Sequence, residues 1–153
     1  MTAPVPALER AFDVDARLGP LEDHGMTRDG HRRVVPITGG RISGLFDAEI
    51  LPGGADWQIV RPDGAVEIDT RYSARTAEGE YVHFRTSGVR SGPPRVLEAL
   101  LRGEPVDPSE YYFRVGVRLE TSAPRLAALE QSIFVASAVR EADRVYYTAY
   151  RVT

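Results

Sequence analysis

Two acid side chains stand where a proton could be exchanged with a bound molecule. Asp56 and Trp57 follow Gly53-Gly54 at the start of a β-like run. The glycines let the backbone approach a ligand closely, Trp57 offers it a flat wall, and Asp56 is the acid or base beside it. The same residues also make an ordinary turn, with Asp56 bonding its own backbone and Trp57 in the core. Asp69 and Arg71 lie two residues apart, on one face of an alternating strand. Desolvation would raise the acid's pKa and the neighbouring guanidinium would lower it, and the balance decides whether it gives or takes a proton near neutrality. A surface ion pair uses the same spacing. Arg41, after Gly39-Gly40, is placed to hold a carbonyl or phenolate oxygen, or to pair with Asp47 or Glu49. Behind these stand Tyr72, Tyr81, His83, Arg118 and Tyr150 as substrate-binding candidates. Asp69, Asp56 and Arg71 are the catalytic set, with Arg41 and Trp57 on the substrate. Glu67, Arg114 and Arg140 read as solvent-facing.

The elements that would position these groups are short. Apolar-alternating runs recur from about Leu8, separated by Gly, Pro and Asp clusters, which is the rhythm of an all-β barrel or sandwich. The strands fall at Ala7–Arg17, His31–Thr38, Arg41–Leu51, Asp56–Arg61, Ala65–Thr76, Tyr81–Gly88, Glu110–Thr121, Ile133–Glu141 and Arg144–Val152. Pro62–Gly64, Ala77–Gly79 and Glu141–Asp143 are tight reversals, so consecutive strands pair antiparallel. Pro94–Gly103 carries Val96, Leu97, Leu100 and Leu101 at helical spacing, and Ala123–Ser132 opens a helical turn with Pro124. Gly19–Gly30 reads as a polar loop. In the last strand neither face is wholly polar, which fits an oligomer contact or the lining of a cavity.

Composition removes whole classes of function. The 153 residues make one domain, 1–153, with 42% hydrophobic and 27% charged residues, as in a globular protein. The net charge of −3 lacks the basic footprint that nucleic acid or an anionic membrane selects. The first residues show no secretion signal, so a cytoplasmic location is the expectation. There is no Cys and no Lys; all 19 basic residues are Arg. Thiolate chemistry, disulfides, Schiff bases and a phosphate-loop lysine are therefore excluded. The three His (His24, His31, His83) are too scattered for a His-rich metal site, and no metal or cofactor is expected.

PITGGRISG (residues 36–44), LPGGADWQ (51–58) and DTRYSARTAEGEYVHFRTSGVR (69–90) together resemble the domain-of-unknown-function 3237 family. The likeness continues through FRVGVRLETSAPRLAALEQSIFVASAVREADRVYYTAY (113–150), covering nearly the whole chain, while Gly92–Pro108 is longer and more charged than the family pattern. The resemblance implies an antiparallel up-and-down, lipocalin-like β-barrel of about 8–10 strands with one or two short helices, assembling as a homo-oligomer, a dimer or higher. One fungal branch of that family is associated with cofactor-free ring closure, a hydroxyl adding across an alkene. The function expected is thus an acid/base cyclase or isomerase on a small polyketide-like or aromatic intermediate. A non-catalytic carrier or sensor of a small hydrophobic or phenolic molecule uses the same cavity.

Overall fold

The computed structural model describes all residues, 1–153. Ten strands follow in order: β1 (Leu8–Leu18), β2 (Glu22–Thr27), β3 (Gly30–Gly44), β4 (Ala48–Ile50), β5 (Gly54–Val60), β6 (Val66–Arg75), β7 (Tyr81–Ser91), β8 (Tyr112–Thr121), β9 (Ile133–Arg140) and β10 (Arg144–Val152). Each pairs antiparallel with its neighbours, and β10 pairs with β1, closing the sheet. Two positions in the ring are shared. On one side of β3, β2 pairs with its first half and β1 with its second; on the other side, β5 and β4 divide it likewise. Eight positions thus close a barrel, a size whose interior side chains can nearly fill it or leave room for one small ligand.

The alternating pattern sets which side chains enter. In β6, Val66, Ile68, Thr70 and Tyr72 are buried and Glu67 and Arg71 are exposed; the alternation is as expected, but the face expected to carry Arg71 into a site is the outer one. The hairpin turns at Pro62–Gly64 and Ala77–Gly79 are also where expected, each closed by a backbone hydrogen bond: Gly64 N–H to Arg61 O at 2.9 Å and Gly79 N–H to Thr76 O at 2.9 Å.

The N-terminal third departs from the sequence expectation. His31–Thr38 and Arg41–Leu51 are not two strands; β3 runs unbroken through Gly39-Gly40 to Gly44, and Leu45–Asp47 turns the chain before β4. Gly40 allows this. Its φ is +135°, and a Cβ there would sit 2.0 Å from the carbonyl oxygen of Asp15 on β1, so only glycine lets the two strands cross so closely. Within the stretch expected to be loop, β2 pairs with β3 from Glu22 to Thr27. It has no alternating burial because water reaches both its faces.

One helix, α1 (Pro94–Leu101), and a 3₁₀ segment (Pro124–Gln131) occupy the two stretches expected to be helical. The first buries Val96, Leu97 and Leu100; the second buries Leu126 and Leu129. Between them the barrel interior falls into two unlike halves. One is filled by rings: Phe12 lies 5.6 Å from Phe46, 6.1 Å from Phe84 and 5.6 Å from Phe134, centroid to centroid. The other half contains space.

Candidate functional site

The space is a narrow cavity of about 40 Å³, partly open to solvent. Seventeen residues line it and eleven are hydrophobic, Tyr72 and Tyr147 counted among them for their rings, so the wall is largely apolar with a few placed polar groups. Those groups are Asp56 and Gln58 from β5, Thr70 and Tyr72 from β6, Thr86 and Arg90 from β7, Arg140 from β9 and Tyr147 from β10.

Asp56 is only 8% exposed. The β5–β6 ladder pairs Asp56 with Thr70 and resumes at Ile59 with Glu67. Across that gap the Asp69 N–H donates to Asp56 Oδ1 at 3.1 Å, and Gln58 Nε2 donates to Oδ2 at 2.8 Å. Burial pushes the Asp56 carboxyl above the ordinary range, while these two hydrogen bonds and the more distant charge of Arg90 pull it back. The result is a carboxyl held in place by neutral donors, with burial favouring its protonated form.

Tyr72 and Tyr147 meet across the barrel, hydroxyl to hydroxyl. Burial raises both phenols above their usual range, Tyr72 the more. They stay protonated, and whichever donates to the other, its partner keeps one O–H to offer to the cavity. Tyr72 also stacks on Phe84 with the ring centroids 5.0 Å apart, which fixes the phenol at the boundary with the packed half. Beside the pair, the hydroxyls of Thr70 and Thr86 contact each other.

Two guanidiniums, Arg90 and Arg140, stand near Asp56, and a third, Arg33, stands beside Arg140. Arg90 is 2% exposed, with its Cζ 5.5 Å from the Phe113 ring centroid. Burial, and then the repulsion of Arg140, lower it to about 10, so it remains charged at neutral pH. Arg140 is lowered in the same direction by burial and by Arg33, which is itself lowered by burial. Arg33 Nη2 donates to the carbonyl of Leu101 at 3.2 Å, tying this end of the barrel to α1.

Of the residues expected from sequence to make the site, the structure puts Asp56 and Tyr72 in the cavity wall and the others elsewhere. Asp69 and Arg71 share a face, but it is the outer one. Asp69 is half-buried there and reaches the site only through its backbone N–H; Arg71 is exposed. The reason is register: Asp56 stands opposite Thr70, so Thr70 points inward and its neighbours outward. Arg41, Trp57, Tyr81, His83 and Arg118 are exposed, and Tyr150 is half-buried on the face opposite Tyr147 and Ala149. They cannot touch a ligand in the cavity. Arg140, expected to face solvent, lines it instead. Arg90, Gln58, Thr86 and Tyr147 were missed as well. Their signal was present as a charge closing an apolar stripe: Val82, Phe84 and Thr86 lead to Arg90, and Phe134, Ala136 and Ala138 lead to Arg140.

No group of three or more His, Asp or Glu side chains comes together, and no helix is long and apolar enough to cross a membrane.

A family model described as "Protein of unknown function (DUF3237)" matches residues 6–152. A UPF0311 protein of Bradyrhizobium diazoefficiens is 42% identical over 141 residues, covering 92% of this chain and 93% of its own. The crystal structure of a conserved protein of unknown function from Rhodopseudomonas palustris superposes with a TM-score of 0.93 at 39% identity, covering 99% of this chain and 100% of that one. A beta-barrel like protein from Acinetobacter baumannii gives 0.86 at 39% identity, over 99% of both chains. Farther off, the PR-toxin biosynthesis cluster protein 7 of Penicillium roqueforti is 25% identical over 100 residues, 55% of this chain and 54% of its own. The crystal structure of an enzyme from Penicillium herquei has a TM-score of 0.70 at 19% identity, covering 97% of this chain and 98% of that one.

Proposed function

The chain belongs to the protein-of-unknown-function family DUF3237, and from that premise and the cavity we propose that it is a cofactor-independent acid/base catalyst, a cyclase or isomerase acting on a small natural-product intermediate. The observation that carries the reading is Asp56: a carboxyl inside an apolar cavity, raised by burial and fixed by Gln58 and the Asp69 N–H. Such a group is costly to keep without a use. The distant relatives support catalysis over mere binding, since one is a biosynthesis cluster protein and one fold neighbour is an enzyme.

The reaction that suits these groups is the addition of a substrate hydroxyl across an alkene of the same molecule. The Asp56 carboxylate takes the hydroxyl proton as the oxygen forms its bond to one alkene carbon. The other alkene carbon receives a proton from the free O–H of the Tyr72–Tyr147 pair, and Asp56 returns its proton to the phenol oxygen. Atoms balance, and the product is an isomer of the substrate. The apolar wall folds the chain so that oxygen and alkene meet, which can lower such a barrier by roughly 7–11 kcal/mol at best.

The test is turnover of small phenols carrying a pendant alkene by purified protein with no added cofactor. Asp56→Asn is expected to slow product formation by about 10²–10⁴-fold, while Arg71→Gln, altered on the outer wall, keeps the parent rate. Equal rates for Asp56→Asn and the parent would remove Asp56 from the chemistry. Ligand binding without product in any of these proteins would favour the carrier reading.

A further inference from the structure

We infer that the ligand of this cavity is an organic anion, a compact aromatic or unsaturated acid whose carboxylate is taken by Arg90 with Arg140 beside it. This deepens the reading above and rests on the same cavity being the ligand site.

Arg90 carries the argument. At 2% exposed it is among the most buried charged side chains a protein tolerates, yet its guanidinium makes no hydrogen bond to any protein group and its Nε is orphaned. A guanidinium has five N–H donors in a rigid fork, and here the Nε–H is shut off from water with no partner, which carries the cost of stripping its water. The structure spends that energy on a group that lines the cavity, between the apolar ring of Phe113 and the polar cluster of Asp56.

Inside the cavity a second guanidinium adds to the charge of Arg90. Arg140 also lines the cavity, and Arg33 stands close enough to repel it. The single interior acid near them, Asp56, has both oxygens engaged by Gln58 and the Asp69 N–H, and forms no ion pair with Arg90 within 4.0 Å. Within the cavity two guanidiniums, Arg90 and Arg140, therefore face one carboxyl, while Asp143 and Asp23 act on Arg140 and Arg33 from outside it, and the surplus inside is positive whichever way Asp56 titrates. An anion entering the cavity offsets that surplus and satisfies the fork. A carboxylate matches a guanidinium with two parallel hydrogen bonds. The rest of the molecule must be apolar and small, because eleven of the seventeen lining residues are hydrophobic and the cavity is narrow. A phosphate ester or a sugar acid, polar on all sides, would lose its hydration against Ile37, Ile68 and Val115.

The test is a thermal-shift and calorimetric panel of acid and amide pairs: benzoate with benzamide, cinnamate with cinnamamide, 2-naphthoate with 2-naphthamide. The expected result is that at least one acid raises the melting temperature and binds at least about tenfold more tightly than its amide. In Arg90→Met, folding being checked by circular dichroism, that preference falls to within twofold. In Asp56→Asn it is kept or strengthened, since the only competing interior acid is gone. No acid outperforming its amide overturns the inference, as does a folded Arg90→Met protein that keeps the preference. Failure of the catalytic reading looks different: turnover then survives Asp56→Asn, whatever the acid and amide pairs show.

Discussion

Around Phe12 the barrel is filled by packed rings, while around Asp56 the same strands enclose space, an orphaned Nε–H donor and two guanidiniums. Strands β6, β7 and β9 contribute to both halves: Phe84 and Arg90 stand on one stripe of β7, Phe134 and Arg140 on one stripe of β9. The difference is thus made within single strands. In the ring-filled half each phenylalanine is at most 4% exposed, and burial of such a side chain stabilises by roughly 1.5–3 kcal/mol. In the hollow half the same pleat positions bear groups whose burial costs free energy. A barrel that draws its stability from one half can keep the other in a strained, unpaired state, which is what binding and catalysis ask of a site.

The largest effect belongs to the filled half. Phe12 touches three other rings and is 1% exposed, so Phe12→Ala leaves a cavity the neighbours cannot close. The expected loss is about 3–5 kcal/mol in urea unfolding. A loss under about 1 kcal/mol would mean that the rings are not where the stability resides, and the contrast would collapse.

Next comes the opposite sign in the hollow half. Arg90→Met replaces an unpaired buried cation by an apolar side chain of similar length. Replacing even a paired buried charge by apolar groups of similar volume is often neutral or stabilising by about 1–4 kcal/mol, and here the Nε has no partner at all. The midpoint should therefore rise even as the acid preference is lost. A protein destabilised by as much as Phe12→Ala would instead make Arg90 a structural group, and the two halves would obey one rule.

The same contrast explains what was legible in the sequence. The strand rhythm, the hairpin turns and the inward row Val66, Ile68, Thr70, Tyr72 all follow from local pattern, because alternation and turn chemistry are written in adjacent residues. The unbroken β3 was hidden because Gly39-Gly40 reads as a break, whereas Gly40 is glycine on account of Asp15, a residue far away in the chain. The site was hidden for a related reason. Alternation sorts residues into two faces, and a charged face such as Glu67, Asp69 and Arg71 is conspicuous but faces water. The interior polar groups stand singly at the ends of apolar stripes, and only closure of the barrel gathers Asp56, Arg90 and Arg140 from three strands into one space.

The smallest expected effect is a slope with pH, and it isolates Asp56. Burial raises its carboxyl above the ordinary 3.8, so between that value and the raised one the folded protein keeps a proton that the unfolded chain has released. The unfolded state then binds fewer protons, and stability falls as pH rises through this window. Acids held low by their partners, such as Asp13, Asp23 and Glu80, work in the opposite direction, their contribution being lost as pH falls below the ordinary carboxyl range. They are common to the parent and to Asp56→Asn, so the difference in melting temperature between the two removes them. That difference, parent minus variant, should decline with rising pH at fixed ionic strength, and decline over a wider range in the Arg90→Met background, where a charge that helps to ionise Asp56 is gone. A flat or rising difference would mean that the arginines neutralise Asp56 fully, and the hollow half would be an ordinary buried ion-pair network, as well settled as the rings beneath it.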